Sequence, residues 1–327
     1  MPHDIRQIAR HRRRRARGDH DVSVRRFSHG VCELTTEILT ETVENGTYRI
    51  GRSEIPINET NGNSFVPPAQ FYLAAGDALE RIAWAVSGNL PVLLVGETGV
   101  GKTLSVRHLA HMTNNGFRRV NLNGMTTVDE FVGKLMINEQ GTYWVNGILV
   151  DAMQSGDWLL IDEINACLPE IAFCLHSLLD DDRMIVLSEY DGRIVKPHPN
   201  FRLFASMNPH EDRRYGGTKP LNEALLDRFP VTVKMDYLPF EAEVEVIMQQ
   251  SGNRDEELIK RMVRVGHDVR EAMQNEKVFC TFSTRRLIDW ARMAAQFDPM
   301  EAAVSTIFSK VNSFDAKVLE DIVDNHF

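Results

Sequence analysis

The sequence predicts an α/β fold: a mainly parallel sheet with helices on both faces, followed by a separate helical domain. Three observations lead there. Short, fully apolar runs such as Pro91-Val92-Leu93-Leu94-Val95 and Trp158-Leu159-Leu160-Ile161 read as strands buried on both faces. They alternate with stretches of helical periodicity, the arrangement that yields parallel strands joined by crossover helices. After Pro239 the strand pattern stops and only helical periodicity remains.

Taken in order, residues 1–30 read as a basic arm and 31–66 as an N-terminal extension. Thr47-Tyr48-Arg49-Ile50 and Ile55-Pro56-Ile57 suggest a small hairpin there, and Asn61-Gly62-Asn63 a turn before the body begins. Phe71, Leu73, Ala74, Leu79, Ile82, Ala83 and Val86 recur at helical spacing, which predicts a helix over 69–87 that stops at Gly88-Asn89. The strand at 91–95 is followed by a glycine-rich turn and a helix over 101–113. Next come a strand at 119–122, a helical stretch near 127–133, a hairpin-like segment over 134–146 and a helix at 147–154. Beyond the strand at 158–161 lie a helix at 169–180, a hairpin about Asp191-Gly192, and strands at 201–205 and 231–235. Helices at 240–251, 255–275, 283–297, 299–311 and 313–326 complete the chain. The α/β domain is thus expected over 67–238 and the helical domain over 239–327.

The chain of 327 residues is 43% hydrophobic and 25% charged, which excludes a fibrous or largely disordered protein. No apolar run approaches the ~20 residues of a membrane span, and the Arg-rich start has no apolar stretch behind it, which argues against a secretory signal. Cys32, Cys167, Cys174 and Cys280 form no CxxC pair and no zinc-type cluster, as expected in a reducing, cytoplasmic setting. Charge is unevenly spread. Residues 1–30 hold nine Arg and three Asp, a net of +6, so the rest carries −15 to bring the chain to −9. Such an arm either binds an anionic partner, nucleic acid among them, or is simply solvated.

Gly96-Glu97-Thr98-Gly99-Val100-Gly101-Lys102-Thr103 satisfies GxxxxGK[ST] between an apolar strand and a helix. The glycines let consecutive backbone N–H groups and the helix N-terminus face a phosphate anion. Lys102 adds positive charge at the β- and γ-phosphates, and the Thr103 hydroxyl completes a Mg²⁺ shell, so the expected ligand is ATP with Mg²⁺. Asp162-Glu163 ends the apolar strand at 158–161. There Asp162 would hold the metal while Glu163 polarises the attacking water. Asn208 follows the strand at 201–205, where its amide either serves the γ-phosphate or that water, or simply closes an Asn-Pro turn. Arg228, at the end of a short helix, is suited to a neighbouring subunit's nucleotide, and either Arg285 or Arg286 to a crossing from the helical domain to the phosphates.

These residues resemble the AAA+ ATPases of the MoxR type, a branch of the P-loop NTPases. The resemblance rests on GETGVGKT at 96–103, LLIDEIN at 159–165, KPHPNFRLFASMNP at 196–209, LNEALLDRF at 221–229 and STRRLIDWAR at 283–292. It spans about 70 to 297, with the motifs in the family's order. It implies a sensor-1 role for Asn208, an arginine finger acting in trans at Arg228, and sensor 2 at Arg285. The basic pair Arg213-Arg214 competes with Arg228 for the finger role. The segments 134–146 and 183–199 fall where this family inserts hairpins; Tyr143 and Trp144 either line a central pore or pack within the hairpin face. Many members have Arg after DEIN, where this chain has Ala166.

The resemblance further implies a ring homo-oligomer, a hexamer, that couples ATP hydrolysis to remodelling of a protein client. The family often works with a von Willebrand factor A domain protein. No DxSxS motif occurs in this chain, so that partner would be a separate protein. Two other functions are compatible: the ATPase subunit of a metal chelatase, and a nucleic-acid motor using the basic arm.

Overall fold

The computed structural model describes residues 40–59, 62–74, 76–209 and 221–327. The basic arm at 1–30, Cys32 and the pair Arg213-Arg214 lie outside the described residues.

The described chain opens with three short antiparallel strands, β1 (Glu41–Glu44), β2 (Thr47–Ile50) and β3 (Ser53–Pro56). The sequence pattern predicts only a hairpin. The added strand follows from Asn45-Gly46, whose φ values of 50° and 76° make the two-residue turn that pairs β1 with β2. Tyr48, Ile50 and Ile55 point inward and are buried.

The first helix, α1 (Ala78–Ser87), is shorter than its periodicity predicts. Gly76, at φ 65°, precedes it, and 69–74 run without helical structure. Phe71 stays exposed, and the other apolar residues pack against different partners instead of forming one stripe. Tyr72 packs with the sheet core and Leu73 with the helical core.

The chain then runs through β4 (Val92–Gly96), α2 (Lys102–Met112), β5 (Phe117–Asn121) and α3 (Val128–Phe131). A hairpin, β6 (Gly133–Asn138) with β7 (Gly141–Asn146), leads into α4 (Ile148–Ser155), β8 (Trp158–Asp162) and α5 (Pro169–Leu179). A second hairpin, β9 (Ile185–Leu187) with β10 (Arg193–Val195), precedes β11 (Arg202–Met207), α6 (Glu223–Leu226) and β12 (Val231–Met235). The two hairpins stand where the sequence places them. Trp144 packs flat on Tyr190 at 5.5 Å, joining them, whereas Tyr143 stays exposed.

Five of these strands form one parallel sheet in the order β12-β4-β11-β8-β5. Alternation along each strand sends side chains to opposite faces. Val92, Leu94, Leu160, Phe204 and Val233 join a core with the three-stranded unit, α1 and α2. Leu93, Leu159, Ile161, Leu203 and Ala205 join another with α4 and α5. The sheet is therefore covered on both faces, as the apolar strands require. β4 lies between β11 and β12, so the carboxyl ends of β4, β8 and β11 converge at a topological switch point.

The remaining helices are α7 (Phe240–Ser251), α8 (Glu256–Gln274), α9 (Thr284–Met293), α10 (Pro299–Thr306) and α11 (Ser313–Asp324). They enclose a third core around Ile259, Met262, Val263, Trp290 and Leu319. α9 ends before the expected 297, and α10 gives way to a 3₁₀ turn at Phe308–Lys310. Among the described residues no helix is long and apolar enough to cross a membrane.

Candidate functional site

β4 ends at Gly96, opposite Met235 in the ladder, where any side chain would strike the Met235 carbonyl. The loop then turns through Gly99 at φ 87° and Gly101 at φ 94°, both in the left-handed region that favours glycine. Gly101 caps α2, so the loop's N–H groups and the helix N-terminus share one concavity. Glu97 and Thr98 are half-buried in the loop, and Val100 tucks into the sheet core. Lys102, the first residue of α2, turns back into this space. Its Nζ donates to Gly96 O at 2.5 Å, Glu97 O at 3.0 Å and Asn208 Oδ1 at 3.0 Å, which engages all three ammonium protons. Burial lowers this ammonium to about 8, against the opposing pull of Glu163, Asp162 and Glu97.

The acidic pair sits at the end of β8. Asp162 is buried and accepts hydrogen bonds from Ser206 Oγ and Arg119 Nε, and from Thr103 Oγ1 at 3.4 Å. Glu163 adopts φ 56° and ψ 44°, a left-handed conformation uncommon for a residue with a side chain. Asn208 Nδ2 donates to Glu163 Oε1 at 3.4 Å. Asn208, itself buried at the end of β11, thereby bridges Lys102 and Glu163. Thr103 and Asp162 offer two hard oxygen donors beside an anion-binding loop. That donor set fits Mg²⁺, which takes most of its ligands from water and phosphate.

The three predicted arginines are not part of this cluster. Arg228 Nε donates to Asp180 Oδ1 at 2.8 Å and Nη1 to Ala224 O at 2.7 Å. Arg285 is exposed at the start of α9, while Arg286 turns onto the Phe282 ring at 5.7 Å. Ser283, the residue that caps α9, touches the phosphate loop: a Cβ built on Gly99 would lie 2.5 Å from the Ser283 Cβ.

Sequence reasoning missed Ser206, Arg119 and Tyr237. Ser206 carries a faint signal, as a polar residue in the apolar run Phe204-Ala205-Ser206-Met207. Arg119 has none: its neighbour Arg118 looks identical in sequence yet pairs with Asp157 at 2.7 Å. Tyr237 reaches the loop with its hydroxyl, 3.2 Å from Thr98 O and 3.4 Å from Glu97 Oε2.

Two family descriptions match stretches of this chain. The family described as "AAA domain (dynein-related subfamily)" matches residues 91–229, and that described as "CbbQ/NirQ/NorQ C-terminal" matches residues 243–325. The denitrification regulatory protein NirQ of Stutzerimonas stutzeri is 32% identical over 278 residues, which cover 84% of this chain and 98% of NirQ. Its namesake in Pseudomonas aeruginosa is 32% identical, over 78% of this chain and 97% of its own length. The aerobic cobaltochelatase subunit CobS of a Sinorhizobium species is 29% identical, over 76% of this chain and 79% of its own. With a phosphate loop, an acidic strand end and a helical C-terminal region in this order, the chain belongs to the dynein-related, MoxR-type AAA+ ATPases.

Proposed function

We propose that the protein is an Mg²⁺-dependent ATPase that assembles into a hexameric ring and remodels a protein client. The observation that carries the hydrolytic reading is the continuous set of contacts from Lys102 through Asn208 to Glu163, with Thr103 and Asp162 beside it. In this reading the loop from Gly96 to Thr103 cradles the phosphates and Lys102 exchanges its internal partners for the β- and γ-phosphates. Thr103 and Asp162 would hold Mg²⁺, which supplies positive charge to the phosphates. Glu163 polarises the attacking water, and Asn208 reports the γ-phosphate to it. Arg285 approaches the phosphates from the helical region.

Ring formation is supported by Arg228, whose hydrogen bonds run to Asp180 and Ala224 and not to its own phosphate loop. An arginine so placed is available to a neighbour's nucleotide. Cys167, Cys174 and Cys280 are free thiols, which suits the cytoplasm. The likeness to CobS favours a second reading, the ATPase subunit of a metal chelatase.

Glu163→Gln tests both levels. The variant is expected to bind MgATP as the wild type does, with turnover reduced at least about 100-fold, and so to hold its partner for recovery. A remodelling ATPase retains a client or a von Willebrand factor A domain protein; a chelatase subunit retains its large catalytic chain. Turnover by Glu163→Gln at the wild-type rate contradicts the role given to that residue.

A further inference from the structure

A buried polar network lies behind the phosphate loop, and no step of the proposed hydrolysis uses it. Its centre is Glu243 of α7, fully buried. Arg270 of α8, 8% exposed, grips it with both arms of its guanidinium, Nη1 to Oε2 at 2.7 Å and Nη2 to Oε1 at 2.8 Å. Thr284, the first residue of α9, donates its hydroxyl to Glu243 Oε1 at 2.6 Å. His267 Nε2 stands 3.4 Å from Glu243 Oε2. The remaining guanidinium nitrogen, Arg270 Nε, donates to the Phe282 carbonyl at 2.9 Å, in the turn just before α9.

One face of the Arg270 guanidinium is covered as well. It stacks on the Tyr237 ring at 3.7 Å, and Tyr237 belongs to the linker between β12 and α7. The far end of that ring bears the hydroxyl that meets Thr98 O and Glu97 of the phosphate loop. A path of direct contacts therefore runs from the loop through Tyr237, Arg270 and Glu243 to Thr284. It ends one residue from Ser283, which touches Gly99, and one residue from Arg285. The start of α9 is held against the loop from two sides.

Stability alone gives a weak account of such a network. Buried ion pairs replaced by apolar residues of similar volume often cost a protein nothing. A forked guanidinium–carboxylate pair does supply a fixed orientation, which apolar packing specifies less sharply. We propose that Tyr237 is a positioning residue: braced by the Arg270–Glu243 pair, it couples the phosphate loop to the start of α9. Nucleotide in the loop then sets the placement of Ser283 and Arg285, and the helical region in turn sets the loop. The proposal rests on the nucleotide-site reading above and adds a route by which that site communicates with the helical region.

Tyr237→Phe is the sharpest test, because it removes only the hydroxyl and leaves the ring beneath Arg270. In the full-length chain it is expected to lower kcat about fivefold, with KM changed less than about twofold. The same substitution made in an Arg285→Ala background is expected to change kcat less than about twofold, since the coupled partner is already gone. MgADP is expected to slow amide exchange across 283–287 in the wild type and not in Tyr237→Phe. Independent, multiplying effects of the two substitutions, or equal MgADP protection in both chains, overturns the proposal. A wild type that binds MgADP without hydrolysing ATP refutes the ATPase reading alone, and the exchange measurement still decides the coupling. A wild type that binds no nucleotide refutes both.

Discussion

Lys102 shows how one side chain can be stored ready for use. Its ammonium is half-buried, which is costly for a charge, and three acceptors from its own chain compensate. Burial nevertheless leaves it at about 8, close enough to neutrality to matter. The sign follows directly. In the free protein the proton is lost as pH rises through about 8, whereas bound phosphate adds negative charge and retains it. Binding above that pH must take up a proton, so affinity falls. ADP affinity at constant Mg²⁺ should drop about fivefold from about pH 8 to about pH 9, read by titration with a fluorescent ADP. Lys102→Met should bind weakly with no such slope; an equal slope in both proteins assigns the proton to another group. Lys102 was legible in the sequence because the motif that defines it is contiguous. Asp162 and Glu163 were legible for a related reason, since an acidic pair ending an apolar run needs no knowledge of distant residues. Ser206 and Arg119, which hold Asp162, were not. Their role depends on which strands become neighbours, and β8 lies between β5 and β11 only in the folded sheet.

At the scale of elements the buried strands were readable because each is apolar throughout, and both hairpins because turn residues bracket them. The helix expected over 69–87 shows where periodicity misleads. Phe71, Leu73 and Ala74 match a helical stripe in spacing, yet Tyr72 and Leu73 face two different cores and Gly76 turns the chain before α1 starts. Phe71 is exposed, so spacing alone shows neither that such residues are buried nor that they are buried together. The helical region raises the opposite problem, because its organising feature is polar. Burial alone would push the Glu243 carboxyl up. Hydrogen bonds from Arg270 and Thr284, the charge of Arg270 and the nearby His267 ring outweigh it, and bring the carboxyl from 4.5 down to about 2. A carboxyl depressed in the folded state contributes stability that is complete above about pH 4.5 and is lost as pH falls towards about 2. Glu243→Gln leaves the Arg270 charge buried without its partner, so a loss of about 3–5 kcal/mol is expected near neutral pH. The gap between wild type and variant should narrow as the medium is acidified through that range. Denaturant melts at several pH values check both statements. A variant within about 1 kcal/mol of wild type at neutral pH would show that the pair contributes little to stability.

For the whole molecule, the arginine proposed as the finger makes its hydrogen bonds outside the site it would serve. Arg228 and the cluster of Lys102, Asp162, Glu163 and Asn208 sit on one chain, but the hydrogen bonds of Arg228 run to Asp180 and Ala224. An arginine finger contributes about 10³–10⁵ in rate by stabilising charge on the transferring phosphoryl group, and little to ground-state binding. Arg228→Ala should therefore bind MgATP within about twofold of wild type while losing turnover by about that factor. A loss of activity in one pure variant would not separate action on its own site from action on a neighbour's. Mixing does. Lys102→Met has an intact Arg228 and a disabled phosphate loop; Arg228→Ala has the reverse. If the finger acts in trans, random equimolar rings of these two inactive chains pair a working loop with a working arginine at about a quarter of their interfaces. Activity should then reappear on mixing, in proportion to mixed-ring formation measured by native mass spectrometry. Mixed rings that stay inactive assign Arg228 to its own chain or to a structural pairing with Asp180. The same complementation run with Arg213→Ala and Arg214→Ala decides whether either of that pair is the finger instead, because only a residue acting across the interface can be rescued by a neighbour.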